Sequence, residues 1–148
     1  MTDPSYAGQA VCMTYPLIGN YGICYDDQES AKPWIDAFIV RELSRVPSNF
    51  RSVDTIQHFL TKHDIPGIAG IDTRALTKIL REKGTMNGMI TVDENYDLTA
   101  ILPKLKANTT GKVWDKLTCR EKKILPEMGR KVALRILGPK LIIHTTLH

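Results

Sequence analysis

The sequence predicts an α/β fold, a small layered domain of short strands with two to three helices, followed by a linker and an orphan strand. Short apolar runs rich in β-branched and aromatic residues occur at 10–15 and 36–43, and Pro, Gly or polar residues bound them. Elsewhere, apolar residues recur at intervals of three and four, which is the spacing of an amphipathic helix. The alternation of these two patterns indicates mixed α and β structure.

Four strands are predicted in the first 92 residues. Residues 10–15 form a β-prone run that ends at Pro16, which cannot continue a ladder. Residues 36–43 contain four consecutive apolar side chains, as is typical of a buried strand. Shorter strands are predicted at 65–71, where the glycines indicate close backbone approach, and at 86–92.

Two clear helices and a weaker one are predicted. The first covers 52–64 with Ser52 as its N-cap, because apolar residues recur there at helical spacing. The second begins after Asp72 as N-cap and stops at Gly84. Residues 98–107 form the weaker helix, which we expect Pro103 to interrupt.

The chain divides into three parts. Residues 1–106 form the domain, 107–130 are expected to be a linker, and 131–148 begin a new unit with a strand at 131–137. Residues 1–100 hold 9 Lys/Arg and 13 Asp/Glu, whereas residues 101–148 hold 11 Lys/Arg and 3 Asp/Glu. The charge is therefore −4 in the first part and +8 in the second. A basic tail of this kind suits a solvated connector or an acidic partner.

Composition excludes several classes of protein. The 148 residues are 43% hydrophobic and 24% charged, and no apolar run approaches the ~18 residues that a membrane span requires. Three cysteines are too few for a disulfide framework and suit a reducing compartment, so we expect a cytoplasmic protein without a signal peptide. Only Trp114 supplies an aromatic ring in the basic tail, which disfavours nucleic-acid binding.

Motifs for chemistry are weak when taken alone. His58 and His63 are five residues apart, which does not place them on one helix face, and no Cys-x-x-Cys pair exists, so no metal site is predicted. Residues 22–28 (GICYDDQ) superficially resemble a cysteine nucleophile elbow. However, a loop precedes Cys24, and the two carboxylates that follow it disfavour a thiolate.

Several sequence blocks together are specific. They are residues 2–9 (TDPSYAGQ), 13–22 (MTYPLIGNYG), 41–43 (REL), 47–51 (PSNFR), 67–77 (GIAGIDTRALT) and 81–88 (REKGTMNG). These blocks closely resemble the small subunit of glutamine-dependent carbamoyl-phosphate synthase, over roughly residues 1–92 closely and 93–137 loosely. The first part of this chain thus resembles the amino-terminal domain of that subunit, and 131–148 resemble the start of its amidotransferase domain.

The resemblance implies a function for the family as a whole. Its small subunit hydrolyses glutamine through a cysteine thioester and delivers ammonia to the large subunit, where ATP and Mg drive carbamoyl phosphate synthesis from bicarbonate. The expected partners are therefore the large subunit and glutamine, with no cofactor in this chain itself, no nucleic acid and no membrane. The family's leading strands and its catalytic Cys-His-Glu set have no counterpart here, so the sequence is expected to be a fragment without catalytic residues, whose role is subunit docking.

One residue carries over to substrate binding. Ser5, in the Asp-Pro-Ser-Tyr block, matches a family serine near the glutamine site, although a turn serine is the simpler interpretation of Asp-Pro-Ser. Arg74 and Arg81 resemble structural or interface positions, but a solvated helix face explains them equally well. Two other functions stay open at this point: an enzyme that uses Cys24, and a binding module that acts through the basic tail.

Overall fold

The computed structural model describes residues 1–109, 111, 113–118 and 121. The strands are β1 (Ala10–Met13), β2 (Ala37–Val40) and β3 (Gly67–Ile68). The helices are α1 (Ile56–Lys62), α2 (Thr73–Lys83), α3 (Leu98–Ala107) and α4 (Trp114–Leu117), with 3-10 turns at Pro4–Tyr6 and Tyr25–Asp27. The predicted α/β class is confirmed.

The three strands form one parallel sheet in the order β1-β2-β3. Ala10 pairs with Ala37 at one end of the β1–β2 ladder, and Met13 pairs with Val40 at the other. Helix α1 lies in the connection from β2 to β3, as parallel strands require a long crossover. Helix α2 follows β3 and returns to contact β1, where the Thr73 carbonyl lies 4.0 Å from the Cys12 sulfur.

The hydrophobic core lies around β2 and one face of α1. Buried side chains from the central strand meet Leu60 of α1 and two residues of the preceding loops. The core cluster consists of Ile18, Ile35, Phe38, Val40 and Leu60. A central parallel strand has neighbours on both faces, which explains why residues 37–40 are apolar without alternation.

Helix α1 begins later than the sequence predicts. The prediction of a start at Ser52 is wrong: the N-cap is Thr55, whose side-chain oxygen accepts from the His58 amide at 3.1 Å. Ser52 instead donates its hydroxyl to the Asp54 carbonyl at 3.1 Å. Apolar spacing identified the helix face correctly, but both Ser and Thr are good caps, and only the path of the chain decides between them.

Helix α2 follows its prediction closely. The Asp72 side chain accepts from the Ala75 amide at 3.0 Å, so the predicted N-cap is confirmed. Gly84 ends the helix with φ of 84°, a conformation that glycine adopts without steric cost.

Two other predictions of secondary structure are wrong. Residues 86–92 form no strand and are almost entirely exposed, because they pair with none of the three strands of the described sheet. Pro103 lies inside α3 without interrupting it. The ring removes one backbone donor, but α3 is capped at its start by Asp97 and continues through the proline.

The remaining predictions concern residues 107–148. Within the predicted linker, α4 forms a single helical turn. The predicted strand at 131–137 and the unit at 131–148 lie outside the described residues.

Candidate functional site

The carboxyl ends of the three strands bring three sequence blocks to one edge of the sheet. Residues 14–22 follow β1, residues 41–51 follow β2, and residues 69–72 follow β3. Parallel strands end at the same edge, and such edges are where α/β sheets place their binding loops. Four of the six sequence blocks that resemble the family therefore contribute to one region of the molecule, which we call the carboxyl-edge surface and define as residues 14–22, 41–51 and 69–72.

Backbone hydrogen bonds hold these loops together. The Ser44 amide donates to the Ile18 carbonyl at 2.8 Å, and the Ser48 amide donates to the Asn20 carbonyl at 2.7 Å. The third loop joins them through a 2.9 Å bond between the Gly70 amide and the Arg41 carbonyl. Backbone hydrogen bonds thus connect the three loops beyond the ends of the strands. Ile18 and Leu43 also form an isolated parallel bridge, which extends the β1–β2 pairing into the loops.

Gly22 lets the first loop approach α1 closely. Its φ is +65°, and an added Cβ would lie 2.8 Å from the Asp54 carbonyl oxygen and 2.8 Å from the Ser52 Cβ. The next residue, Ile23, forms an antiparallel bridge with Asp54, with an N–H to carbonyl distance of 2.8 Å. Only glycine satisfies both the backbone conformation and the space at this position.

Two open clefts lie on and beside this surface. The first has a volume of about 240 Å³ and is lined by Asn20, Tyr21, Ser48, Asn49 and Phe50. The second, of about 310 Å³, shares Tyr21 and Asn49 with the first and extends to Met1, Thr2, Gly22, Ile23, Cys24, Asp27, Gln28 and Phe59. Their walls offer amide and hydroxyl groups for hydrogen bonds and three aromatic rings, Tyr21, Phe50 and Phe59, for apolar contact.

The aromatic side chains of the surface face water. Phe50 is 96% exposed and Tyr21 is 73% exposed, and Tyr15 and Leu17 are also exposed. Aromatic rings are enriched at protein–protein interfaces, where their burial contributes strongly to affinity. Exposed rings beside backbone amides and hydroxyls offer apolar contact together with hydrogen bonds.

Asp54 organises the polar contacts behind this surface. Its carboxylate accepts from the His58 Nδ1 at 2.8 Å, from the Thr55 amide at 2.7 Å and from the Tyr25 hydroxyl at 3.2 Å. The His58 hydrogen bond is the largest cause that holds the pKa of Asp54 below its ordinary value, and the Thr55 and Tyr25 bonds act in the same direction. Because a carboxylate can only accept, the His58 Nδ1 carries a proton in this arrangement.

A second ion pair ties the neighbouring loops. The Arg51 guanidinium lies 2.8 Å from the Asp27 carboxylate, and both side chains are substantially exposed. This pairing is the main cause that raises the pKa of Arg51 above its ordinary value. Exposed pairs contribute little to stability, so the Arg51–Asp27 contact orients the loops more than it stabilises the fold.

The segment that carries Ser5 is anchored by Ser30. The Ser30 side chain is almost completely buried, and its hydroxyl donates to the Thr2 carbonyl at 2.6 Å. The same oxygen accepts from the Trp34 indole at 2.8 Å. These contacts fix the chain immediately before the 3-10 turn Pro4–Tyr6.

Ser5 itself lies exposed in that turn. Its amide donates to the Asp3 carboxylate at 2.9 Å, and its carbonyl accepts from the Gln9 side chain at 2.9 Å. Ser5 lines neither of the two clefts. These backbone contacts are those of a serine in a turn. The Ser5 side chain is exposed, and the glutamine contact that the resemblance implies stays a prediction.

Cys24 has different neighbours from a nucleophile elbow. It precedes the three-residue turn Tyr25–Asp27, and an isolated bridge at Ile23 takes the place of a strand before it. Cys12 is half-buried on β1, and this burial raises the pKa of its thiol. Cys119 lies outside the described residues.

The remaining candidates do not gather into a site. His58 lies within α1, whereas His63 forms the C-cap of that helix and its ring packs against Phe59 with centroids 4.8 Å apart. Among the residues that the structure describes, no group of three or more His, Cys, Asp or Glu side chains could hold a metal ion. Arg74 and Arg81 are exposed on α2.

Sequence reasoning missed Ser30 and the role of Asp54. Ser30 follows an ordinary polar stretch, and nothing in its local pattern signals a buried hydroxyl. Asp54 lies within the predicted helix 52–64, whereas in the structure it precedes α1 and pairs with His58, four positions later. The i, i+4 spacing of Asp54 and His58 was the available signal.

No helix among the described residues is both long and apolar enough to cross a membrane.

The family model "Carbamoyl-phosphate synthase small chain, CPSase domain" matches residues 1–90. That match covers both the Ser5 turn and the whole carboxyl-edge surface.

Three curated relatives, each described as a carbamoyl phosphate synthase small chain, share substantial sequence identity. The chain is 46% identical to the protein from Clostridium perfringens (strain 13 / Type A) over 140 residues, which cover 95% of this chain and 40% of that protein. It is 45% identical to the protein from Oceanobacillus iheyensis over 141 residues (95% and 38%), and 56% identical to that from Nitratidesulfovibrio vulgaris (strain Hildenborough) over 94 residues (64% and 25%). The chain thus spans about two fifths or less of the length of these relatives. With the family model matched over most of its length, the chain belongs to the carbamoyl-phosphate synthase small-chain family.

Proposed function

We propose that this chain acts as the amino-terminal docking part of a carbamoyl phosphate synthase small subunit. The observation that carries the proposal is the family match over residues 1–90, which coincides with a bonded surface of exposed aromatic rings. In this role the chain contributes contact area to the large subunit. Ammonia from glutamine then reaches the large subunit, where ATP and Mg are used to form carbamoyl phosphate for arginine and pyrimidine synthesis.

The physical need for docking follows from the chemistry of ammonia. In water near neutral pH, ammonia is mostly ammonium, which is no nucleophile. A two-subunit synthase must therefore exclude water between the site that releases ammonia and the site that consumes it. A domain whose exposed face carries aromatic rings, and whose loops are joined by hydrogen bonds, suits the task of sealing such a contact.

Binding to the large chain tests the docking role. The purified protein and a carbamoyl phosphate synthase large chain should co-elute on size exclusion, and calorimetry should give a heat of binding. Phe50→Ser should weaken this binding by tenfold or more, because truncation of a central aromatic anchor costs on the order of 2 kcal/mol or more.

A matched variant controls for nonspecific effects. Val92 is 100% exposed and lies outside the carboxyl-edge surface, so Val92→Ser should leave the affinity unchanged. Equal affinities for the Phe50 and Val92 variants would contradict docking through this surface. Absence of any complex would contradict the docking role itself.

We further propose that Ser5 contacts glutamine when the amidotransferase part of the small subunit is present. The support is the match to the family's serine and the exposed position of its hydroxyl in an anchored turn. In a full-length small chain, alanine at the matching position should raise the KM for glutamine about threefold to tenfold, as expected for one neutral hydrogen bond. Threonine, which keeps the hydroxyl, should raise it less.

The enzyme alternative through Cys24 has its own measurement. Release of glutamate from glutamine by this chain alone, lost in Cys24→Ser, would favour a catalytic cysteine over the docking role. We expect no such release, because the nearest side-chain contacts of this segment join Tyr25 and Asp27 to Asp54 and Arg51 and place no histidine on the thiol.

A further inference from the structure

An asparagine–glycine pair lies against the end of α3. Asn87 and Gly88 belong to the exposed stretch after α2, and the Asn87 side chain reaches the carboxyl end of α3. Its amide nitrogen lies 2.7 Å from the Leu105 carbonyl and 2.6 Å from the Asn108 carbonyl. These are contacts across 18 and 21 residues, so Asn87 joins two parts of the chain that are otherwise distant in sequence.

The two hydrogen bonds reach carbonyls at the end of α3, where the Leu105 carbonyl also accepts from the Asn108 amide at 3.3 Å. The last four carbonyls of an α-helix have no partner within it, and that end also carries partial negative charge. An asparagine side chain has two N–H donors on one nitrogen, and here they point at the two carbonyls. The contact therefore depends on the amide, because a carboxylate in the same place would have no donor to offer.

Gly88 makes the same amide chemically vulnerable. Attack of a following backbone nitrogen on an asparagine side-chain carbon is least hindered when that following residue has no Cβ. A Cβ built at Gly88 meets no atom within 4 Å, so a residue with a side chain could stand here, and glycine leaves the Gly88 nitrogen without that hindrance. The other asparagines that the structure describes precede bulkier residues, at Asn20, Asn49, Asn95 and Asn108.

We propose that Asn87 is a deamidation site whose conversion releases the carboxyl end of α3. The Gly88 nitrogen loses its proton and bonds to the Asn87 side-chain carbon, the bond from that carbon to the amide nitrogen breaks, and ammonia leaves with the proton. Water then opens the succinimide at either carbonyl, which gives aspartate or isoaspartate at position 87. No oxidant, reductant or enzyme is required.

The product loses the contact for two reasons. Both N–H donors are gone, so the Asn108 carbonyl loses its bond to position 87, and the Leu105 carbonyl retains the 3.3 Å bond from the Asn108 amide. The new carboxylate also lies at the negative end of the helix dipole, where negative charge is unfavourable. Lys104 and Lys106 in the last turn lower this electrostatic cost without restoring a donor to either carbonyl.

The first experiment is peptide mass mapping of the intact protein during incubation at mildly alkaline pH. The peptide that contains residues 87–88 should gain about one dalton before the peptides of the other four asparagines do, since only this pair has glycine as the second residue. Gly88→Ala is the matched control, because the added methyl enters open space and leaves Asn87 in place. It should deamidate several times more slowly, whereas equal rates in the two proteins would overturn the site assignment.

The second experiment measures amide hydrogen exchange in the full chain. Asn87→Asp should accelerate exchange across Leu98–Ala107 by about tenfold or more, since each net hydrogen bond lost corresponds to on the order of one such step. Exchange in β2 should stay unchanged, which shows that the variant is folded. Unchanged exchange across α3 in a folded variant would overturn the release, whatever the deamidation rate.

Discussion

Gly22 connects the first loop of the carboxyl-edge surface to the start of α1. Its positive φ and the close Ser52 and Asp54 atoms leave no room for a side chain. Gly8 also has a positive φ, of +77°, but an added Cβ there meets nothing within 4 Å. The two glycines therefore separate the effect of backbone conformation from the effect of crowding.

Gly22→Ala should lower the free energy of unfolding by about 2–5 kcal/mol, from backbone strain together with overpacking. Gly8→Ala should cost only about 1–2 kcal/mol, because strain acts there alone. Urea denaturation of both variants measures the difference. Equal losses would show that the first loop moves away from α1 at little cost.

Asp54 predicts a pH dependence of stability. The folded-state pKa of Asp54 lies below its ordinary value of 3.8, chiefly through the His58 hydrogen bond. The native state therefore favours the ionised form of Asp54, and this preference contributes to the free energy of unfolding. The contribution is present above pH 3.8 and is lost as the pH falls through the folded-state pKa.

Asp54→Asn should make the acid limb of stability shallower, because the variant has no carboxylate to protonate in that range. His58→Gln should change the limb in the same direction, since His58 is the largest cause of the lowered pKa. Unfolding free energies measured between neutral pH and pH 3 provide the comparison. An acid limb that keeps its slope in both variants would refute the assigned pairing.

At the scale of elements, the start of α1 shows how capping depends on chain path. Ser52 and Thr55 are both capping residues by type, and only Thr55 accepts a first-turn amide. Ser52 instead makes a hydrogen bond to the Asp54 carbonyl, close to Gly22.

Thr55→Ala should therefore destabilise the protein by about 1 kcal/mol, as expected when an N-cap is lost. Ser52→Ala should cost less, because the lost bond is local and partly exposed. Helical content by circular dichroism should fall only in the Thr55 variant. A larger loss in the Ser52 variant would indicate that the helix starts where the spacing of apolar residues alone places it.

At the scale of the whole molecule, two phenylalanines lie in opposite environments. Phe59 on α1 is 1% exposed and packs against the His63 ring, whereas Phe50 on the carboxyl-edge surface is 96% exposed. Phe59 also lines the second cleft, so the core reaches the floor of the candidate surface.

Phe59→Ala should reduce the free energy of unfolding by about 3–5 kcal/mol, through lost burial and the cavity left behind. Phe50→Ala should leave stability nearly unchanged, because its ring is already in water. Thermal and urea unfolding of the pair measures both values. A substantial loss in the Phe50 variant would mean that its ring packs against the protein in solution.

Much of the fold could be predicted from local pattern. The continuous apolar run at β2, the helical spacing of α1 and α2, and the Asp72 cap all depend on neighbours within a few residues. The strand predicted at 86–92 does not form, because a strand needs a pairing partner that local pattern does not specify. Helix α3 continues through Pro103, and its cap at Asp97 was likewise not identified from local pattern.

The sequence by itself determined the family, the α/β class and the approximate positions of the elements, because these follow from residue types at short spacing. Only the tertiary structure decided that residues 14–22, 41–51 and 69–72 form one surface, that Ser30 anchors the Ser5 turn, and that Asn87 holds α3. Each of these contacts joins atoms far apart in sequence. The surface depends on how parallel strands and their crossovers return the chain to the same edge, and the Ser30 and Asn87 contacts depend on how segments outside the strands pack together. Neither kind of packing is contained in a local segment.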